Sequence, residues 1–488
     1  MKFFFYKDIS MASSSFRVRF APAPTGMMHL GNIRTALMNY LIAKQKGGTF
    51  VLRIEDTDTE RNFDPQAEKI IEDLAWLGLI HDEGPQKEGT CGPYFQSQRG
   101  ALYETKLQEL VQRGNAYRCF CSQEELEKRR LRQIALKQPP RYDKTCFKLS
   151  LEESTTRAQS ELFIWRMHLD QSKTVTIQDL SHGPVTFDFK HFSDFPLTRQ
   201  DGTVTFMFAN FIDDVTMEIS CVIRGEDHLS NTAGQAALYL AFERTLPLFW
   251  HMPILCNIDG KKLSKRDFGF SLRDLRHSGF LPEAILNYLA IIGGSFTQEI
   301  MSIDTLVESF NFETPSSAGQ IKYDVEKLRW VNHKWICNLA TAHIARLARP
   351  YVESVYEESK QLSDQTFTTL IGHVQKEMIT LEDAIRVLAF YFRDPIYEPH
   401  IATTLVSTDK REQAKTILEK NSSFASADEL MQTAKADCSA AEITPKEMYS
   451  LLRYAFMGLP HGPGIKELIE ILGVAVCQQR LKKFTTIL

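Results

Sequence analysis

The sequence predicts an α/β domain followed by an all-helical region, and three observations carry that reading. From Phe16 to about Leu79 the chain alternates strand-like and helix-like segments. Strand-like runs return at "GPVTFDF", "TVTFMFANFIDD" and "ISCVIRG", and they stop after about Lys265. From roughly Thr341 to the end almost every apolar spacing is helical, as in Leu381, Ile385 and Leu388 or Ile465, Leu468, Ile469 and Leu472. At 488 residues the chain exceeds one compact core, so about two to four domains are expected.

Taken in order, "FRVRFA" alternates as a strand, and "NIRTALMNYLIAKQ" places Ile33, Leu37, Tyr40 and Leu41 at helical spacing with Gly47-Gly48 closing it. "TFVLRI" reads as a buried strand, and "DPQAEKIIEDLAWLG" as a helix with Pro65 just inside its start. This β-α-β order predicts a right-handed parallel crossover and a doubly wound sheet. Ligands on such sheets bind beyond the carboxyl ends of the strands, where "APAPTGMMHLGN" and "EDTDTER" begin. The basic helical stretch "SQEELEKRRLRQIALKQPPRYDK" reads as part of an insertion.

Composition narrows the class. The net charge of −4 gives no global basic field, so a nucleic-acid partner must meet local patches. Nine scattered cysteines argue for a reducing compartment over a disulfide framework. The aromatic run in "MKFFFYKDIS" is shorter than the roughly 7–15 residues of a signal-peptide core, and Met11 is a second candidate start. No apolar run reaches the roughly 18 residues of a membrane span, and Asn421-Ser422-Ser423 is read as a chance glycosylation match. A cytoplasmic protein without membrane attachment is expected.

Two stretches carry chemistry. In "PTGMMHLGN", glycines at 26 and 31 clear side chains where a flat ligand could lie on backbone. A helix starting near Gly31 aims free N–H groups at an anion, and His29 adds a donor beside them. In "DGKKLSKRDFGFSL", Lys262, Lys265 and Arg266 sit in a glycine-bounded loop, as suits a reaction that builds negative charge on a phosphate. Read singly, the first is a common turn before a helix and the second a solvated basic loop.

Together they resemble the signature pair of class I aminoacyl-tRNA synthetases: "HLGN" stands where that class has His-Ile-Gly-His, and "KLSKR" where it has Lys-Met-Ser-Lys-Ser. "RFAPAPTG", "GGTFVLRIEDTDTER", "VIRGEDHLSNT" and "GFLPEAILNYLAIIGG" narrow the resemblance to the glutamyl-tRNA synthetases, nearly continuously from Arg17 to about Trp335. "LLRYAFMGLPHGPGIKELIEILG" extends it, more loosely, toward the bacterial type's C-terminal end.

The resemblance implies a Rossmann-type catalytic domain with an inserted acceptor-binding subdomain, then an all-helical anticodon-binding region. Along this chain it assigns 1–15 to an extension, 16–100 and 191–256 to the two catalytic halves and 101–190 to the insertion. It assigns 257–338 to the lysine-loop and helical stem-contact domain and 339–488 to the anticodon-binding domain. It implies a monomer whose partners are tRNA(Glu), L-glutamate and ATP, the last with Mg²⁺. His29, Lys262, Lys265 and Arg266 take the catalytic positions, and Pro22, Thr25, Gly26, Gly31, Asn32, Leu263 and Ser264 join His29 and Lys265 around ATP. Arg19, Ala21, Ala23, Glu55, Phe206, Asn210 and Arg224 fall on glutamate-holding positions. An arginine fork suits a carboxylate, and glutaminyl relatives lack one at the position of Arg224. For Arg19 and Arg224, ion pairing within the fold is the competing reading.

Three departures stand out. Ala23 replaces a serine and Phe206 a tyrosine, deleting two hydroxyls near bound glutamate. At roughly 0.5–1.5 kcal/mol each, the loss corresponds to about 5- to 150-fold weaker binding. Cys119, Cys121 and Cys146 match a zinc site of some relatives, but Lys148 stands where the fourth ligand, a histidine, is expected. Three ordinary thiols without zinc are the other reading. Seven basic residues from Lys128 to Lys144 fit acceptor-stem phosphates or, equally, a solvated helix face. A truncated paralogue that glutamylates a modified tRNA base lacks the helical region present here after Trp335. A non-catalytic or altered-specificity tRNA-binding paralogue is the remaining alternative, although His29 and Lys265 are both retained.

Overall fold

In the computed structural model, which describes residues 16–57, 62–264, 267–294, 296–313, 319–441 and 443–488, the first strand–helix–strand unit forms as the sequence predicts. Strand β1 (Arg17–Phe20) and strand β2 (Thr49–Leu52) pair in parallel, Arg17 opposite Thr49 and Phe20 opposite Leu52. Helix α1 (Leu30–Gln45) crosses between them, burying Leu30, Ile33, Leu37 and Leu41, and Gly47 with φ 59° turns the chain out of it. The next helix, α2 (Glu68–Trp76), starts later than expected. Pro65 lies in the preceding turn, and the Asp64 carboxylate accepts from the N–H groups of Glu68 and Lys69 at 3.1 and 3.0 Å. An aspartate there satisfies donors that the helix itself leaves open.

Insertion elements follow: α3 (Gly100–Gln112), β3 (Ala116–Cys119), α4 (Gln123–Ala135), α5 (Leu151–Arg157) and β4 (Ile164–Met167), with β3 and β4 antiparallel. No residue of α4 is buried, in keeping with its charge. Strands β5 (Thr174–Asp179) and β6 (Gly183–Asp188) make a hairpin. The chain then forms α6 (Phe206–Thr216), β7 (Cys221–Gly225), α7 (Leu229–Ala241) and β8 (Leu248–Met252). The sheet order is β6-β5-β8-β7, with β8 parallel to both β7 and β5. The Ser220 N–H, just before β7, donates to the Arg17 carbonyl at 2.9 Å and joins this edge to β1.

The segment "TVTFMFANFIDD" is a correction: its aromatic and β-branched residues suggest a strand, but Phe206–Thr216 is helical. On a helix Asn210, Asp213 and Asp214 fall at i, i+3 and i+4 on one face, and all three are buried. Ion-pair partners for that face decide the conformation over local propensity. The surrounding core takes Phe208, Phe211 and Ile212 from α6, Ala233 and Ala237 from α7 and Phe249 from β8. Strands do not stop at Lys265 either, because β9 (Leu255–Cys256) pairs in parallel with β10 (Ile321–Lys322).

The chain divides into two compact units, residues up to 274 with 286–325, and 275–285 with 326–488. Among the described residues the second has helices and no strand, the last helix being Val474–Thr485, with Leu381, Leu388, Ile465, Leu468 and Ile469 in its core. Its Pro445–Met457 helix shows how local chemistry sets the ends. Thr444 and Glu447 form a capping box, Pro445 occupies the first turn, and Gly458 ends it at φ 75°. Among the described residues no helix is long and apolar enough to cross a membrane. The two candidate starts, Met1 and Met11, as well as Lys265 and Arg266, lie outside the described residues.

Candidate active site

A cavity of about 580 Å³ opens at the carboxyl ends of β1, β2 and β7, where a parallel sheet of this kind binds ligands. It is lined by Arg19, Ala21, Pro22, Ala23, Thr25, His29, Gly31, Asn32, Glu55, Phe206, Asn210, Arg224 and Lys262, thirteen of the positions singled out in the sequence. Gly26, Leu263 and Ser264 do not line it. Arg34, Thr57, Arg199, Asp227 and His228, which no spacing in the sequence marks out singly, line it as well.

His29 is the N-cap of α1. Its Nδ1 accepts from the Asn32 N–H at 3.3 Å while Asn32 Oδ1 accepts from the His29 N–H, also at 3.3 Å. Nδ1 is therefore unprotonated, and the neutral ring keeps its proton on Nε2. Burial first, then the nearby Lys262 charge, lowers the His29 pKa and favours that form, with Asp227 opposing. A Cβ on Gly31 would come within 3.1 Å of the imidazole, so one need met by this glycine is room for the His29 ring. The expected fan of free N–H groups is reduced, because the Leu30 N–H already donates to Phe270 O at 3.1 Å and the Asn32 N–H to His29.

That Leu30 bond is half of a strap. The Leu272 N–H donates to Met28 O at 3.0 Å, and the Phe270 ring stacks on His29 with centroids 4.9 Å apart. The two signature stretches, remote in sequence, are thus joined through backbone. Lys262 Nζ donates to Asp227 Oδ2 at 2.9 Å.

Deeper in the unit lies a buried charge network. Arg19 donates from Nε and Nη2 to the two oxygens of Asp214 at 3.0 and 3.3 Å, and from Nη1 to Ile223 O at 3.1 Å. Arg53, fully buried, donates to Asp214 at 2.6 Å and to Glu55 Oε1 at 3.1 Å. Asp213 accepts from Arg99, Gln96 and Tyr103 at 2.6–2.8 Å. Three arginines thus face three carboxylates, and Arg19 both pairs with Asp214 and lines the cavity.

Arg224 is different. Its Nε donates to His251 Nε2 at 3.2 Å, and its Nη2 donates to Thr232 Oγ1 at 2.7 Å and Gln235 Oε1 at 2.6 Å. All three acceptors are neutral, and Nη1 is buried with no hydrogen-bond partner among the described residues. Burial pulls its pKa down to about 10. A cation held this way is poised for an anion, since a desolvated charge is costly until paired. From Arg224 a chain of amides leads through Gln235 and Asn210 to Glu55, with steps of 2.6, 2.7 and 2.6 Å. Burial raises the Glu55 pKa, against the pull of Arg53 and Arg19. The cavity therefore has a cationic end at Arg224 and a carboxyl end at Glu55.

In the insertion, the Cys119, Cys121 and Cys146 sulfurs lie within 4.8 Å of one another. Lys148 is exposed, and the fourth group at the cluster is instead the Tyr142 hydroxyl, 3.4 Å from Cys119 Sγ and 3.7 Å from Cys121 Sγ. The hydrogen bond from Cys146, then that from Tyr142, pulls the Cys119 thiol down to about 4. On the basic stretch, Lys128, Arg129 and Arg130 are paired with Glu124, Asp143 and Glu127.

The family "tRNA synthetases class I (E and Q), catalytic domain" matches residues 15–330, and "Anticodon binding domain" matches 343–485. A glutamate–tRNA ligase of Moorella thermoacetica is 36% identical, with 96% of this chain and 97% of that protein covered. The Bacillus licheniformis enzyme of the same name is 34% identical over 95% and 98%. A crystal structure of a glutamate tRNA ligase from Elizabethkingia meningosepticum, in complex with its amino acid, superposes with a TM-score of 0.85 at 29% identity, covering 97% of this chain and 99% of that one. The chain belongs to the glutamate–tRNA ligase family of class I tRNA synthetases.

Proposed function

We propose that the cavity activates L-glutamate with Mg²⁺-bound ATP and passes the glutamyl group to the 3′ end of tRNA(Glu). The observation that carries the substrate is Arg224, buried among neutral acceptors with Nη1 unbonded. It pairs with the side-chain carboxylate of glutamate, and Glu55 receives the ammonium group. The α-carboxylate attacks the α-phosphate, glutamyl adenylate forms and diphosphate leaves. A terminal tRNA hydroxyl then attacks the carbonyl and AMP leaves. The reaction needs alignment and charge stabilisation rather than a protein nucleophile. The neutral His29 donates from Nε2 to the phosphates, and Lys262 adds positive charge; the resemblance gives Lys265 and Arg266 the same task. Arg19 holds Asp214, and through it the floor of the glutamate pocket.

His29→Asn keeps an N-cap acceptor but removes the Nε2–H donor, so the helix survives and the phosphate contact does not. The expected result is a roughly 10²- to 10³-fold fall in kcat with little change in KM for glutamate. Pyrophosphate exchange with tRNA present reads it, and an unchanged rate would remove His29 from the phosphate site.

The insertion cluster fits a structural zinc, with Cys119, Cys121 and Cys146 supplying sulfur and Tyr142 oxygen. Such an ion would tie β3 to the turn at 145–148 and take no part in adenylation. About one zinc per chain is expected by elemental analysis, and chelation should lower the melting temperature while leaving kcat for pyrophosphate exchange within about twofold. Metal-free purified protein with the same melting temperature would leave three ordinary thiols.

Aminoacylation of total tRNA with labelled glutamate, and separately with glutamine, tests the whole reading. Glutamate on tRNA(Glu) alone marks a discriminating enzyme, and glutamate on tRNA(Gln) as well marks a non-discriminating one. No charging at high glutamate would overturn the reading and mark Ala23 and Phe206 as signs of an altered-specificity paralogue.

A further inference from the structure

Arg224 and His251 are register partners in the parallel pair β7–β8, and Asp179 stands opposite Phe249 on β5. Three adjacent strands therefore bring a guanidinium, an imidazole and a carboxylate into one buried row. His251 is fully buried and Asp179 nearly so, and neither lines the cavity.

The donors along this row are fixed. Asp179 Oδ1 accepts from the N–H groups of Ser181 and His182 at 2.9 and 3.0 Å. Its Oδ2 accepts from the His251 backbone N–H at 3.1 Å and lies 2.6 Å from His251 Nδ1. A carboxylate with four such contacts only accepts, so His251 holds its proton on Nδ1 and presents a bare Nε2. That lone pair takes the Arg224 Nε–H at 3.2 Å, and Thr232 Oγ1 lies 2.9 Å from the same nitrogen. The other tautomer would set N–H against N–H and push the guanidinium away.

We propose that Asp179 and His251 are positioning residues for the selection of the acidic substrate: they lock one imidazole tautomer, and that tautomer orients Arg224 without neutralising it. This rests on the reading of Arg224 as the carboxylate's partner. A carboxylate placed directly on Arg224 would also orient it, but would compete with glutamate for the same charge. The imidazole separates the two tasks, keeping the negative charge of Asp179 one side chain away from the fork that the substrate must occupy.

Steady-state glutamylation at saturating tRNA, with KM resolved for glutamate and for ATP, tests this in five variants: Asp179→Asn, His251→Gln, His251→Leu, Arg224→Gln and the Asp179→Asn/Arg224→Gln double variant. Asp179→Asn is expected to raise KM for glutamate about tenfold, with kcat and KM for ATP within about twofold. His251→Gln retains an acceptor and should stay closer to the parent in glutamate KM than His251→Leu. In the Arg224→Gln background Asp179→Asn should add nothing, because no guanidinium remains to be oriented. An unchanged glutamate KM in Asp179→Asn, or a loss that persists undiminished in the Arg224→Gln background, overturns the proposal. If Asp179→Asn fails to fold, the two His251 variants decide, and equal glutamate KM values for Gln and Leu overturn it. Failure of the underlying reading looks different: Arg224→Gln alone would then leave glutamate KM unchanged.

Discussion

Replacing Arg224 with glutamine is expected to lower kcat/KM for glutamate roughly 30- to 4000-fold, the equivalent of about 2–5 kcal/mol for removing one member of a buried charge pair. The loss should fall on glutamate and spare ATP, because the guanidinium is held by Thr232, Gln235 and His251 and shares no hydrogen-bond partner with His29 among the described residues. Stability should behave in the opposite sense. In the free protein Arg224 is a desolvated cation whose partners among the described residues are all neutral, so its removal relieves a cost. The variant should melt at or above the parent temperature without glutamate and gain nothing when glutamate is added. Glutamate titration by thermal shift, beside steady-state kinetics, reads both effects. A variant with ordinary glutamate KM would sink the assignment of Arg224.

Asp214→Ala should destabilise the catalytic unit by about 3–5 kcal/mol, the usual consequence of removing one partner from a buried ion pair. Asp214 serves two arginines, accepting from Arg19 through both oxygens and from Arg53 at 2.6 Å. Arg53 is fully buried and would retain, as carboxylate partners among the described residues, Glu55 and the more distant Asp213, 3.8 Å away. Since a whole domain is stable by only about 5–15 kcal/mol, such a loss is a large share of the total. Asp214→Asn keeps an acceptor and should lose less. Denaturant unfolding followed by tryptophan fluorescence orders the three proteins, and an alanine variant as stable as the parent would contradict the network.

Much of the fold and of the cavity was legible because motif residues cluster in sequence: His29, Gly31 and Asn32 lie within four positions, and the alternation from Phe16 to Leu52 shows its period directly. What stayed hidden depends on contacts between distant segments. Asp214 and Arg19 are 195 residues apart, so the ion-pair partner of Arg19 cannot be seen locally. The same distance hides why "FMFANFIDDVT" is a helix, since its polar face answers arginines from β1 and from the residue after β2. His251 was invisible for a related reason, because strand register alone puts it beside Arg224. Tyr142 carries no signal in the sequence because the family spacing points past Cys146, whereas the hydroxyl at the cluster comes from four residues before it.

The strap between Met28–Leu30 and Phe270–Leu272 has a consequence for how the protein is made. It closes a loop of 240 residues between Leu30 and Phe270, and Arg17 waits similarly for Ser220. During synthesis at about 5–20 residues per second, the first signature stretch leaves the ribosome roughly 12–48 s ahead of its partner. For that interval β1 and α1 lack the neighbours that complete the cavity. A nascent or truncated chain that ends before Phe270 therefore carries the Met28–Leu30 half of the strap with nothing to close it against.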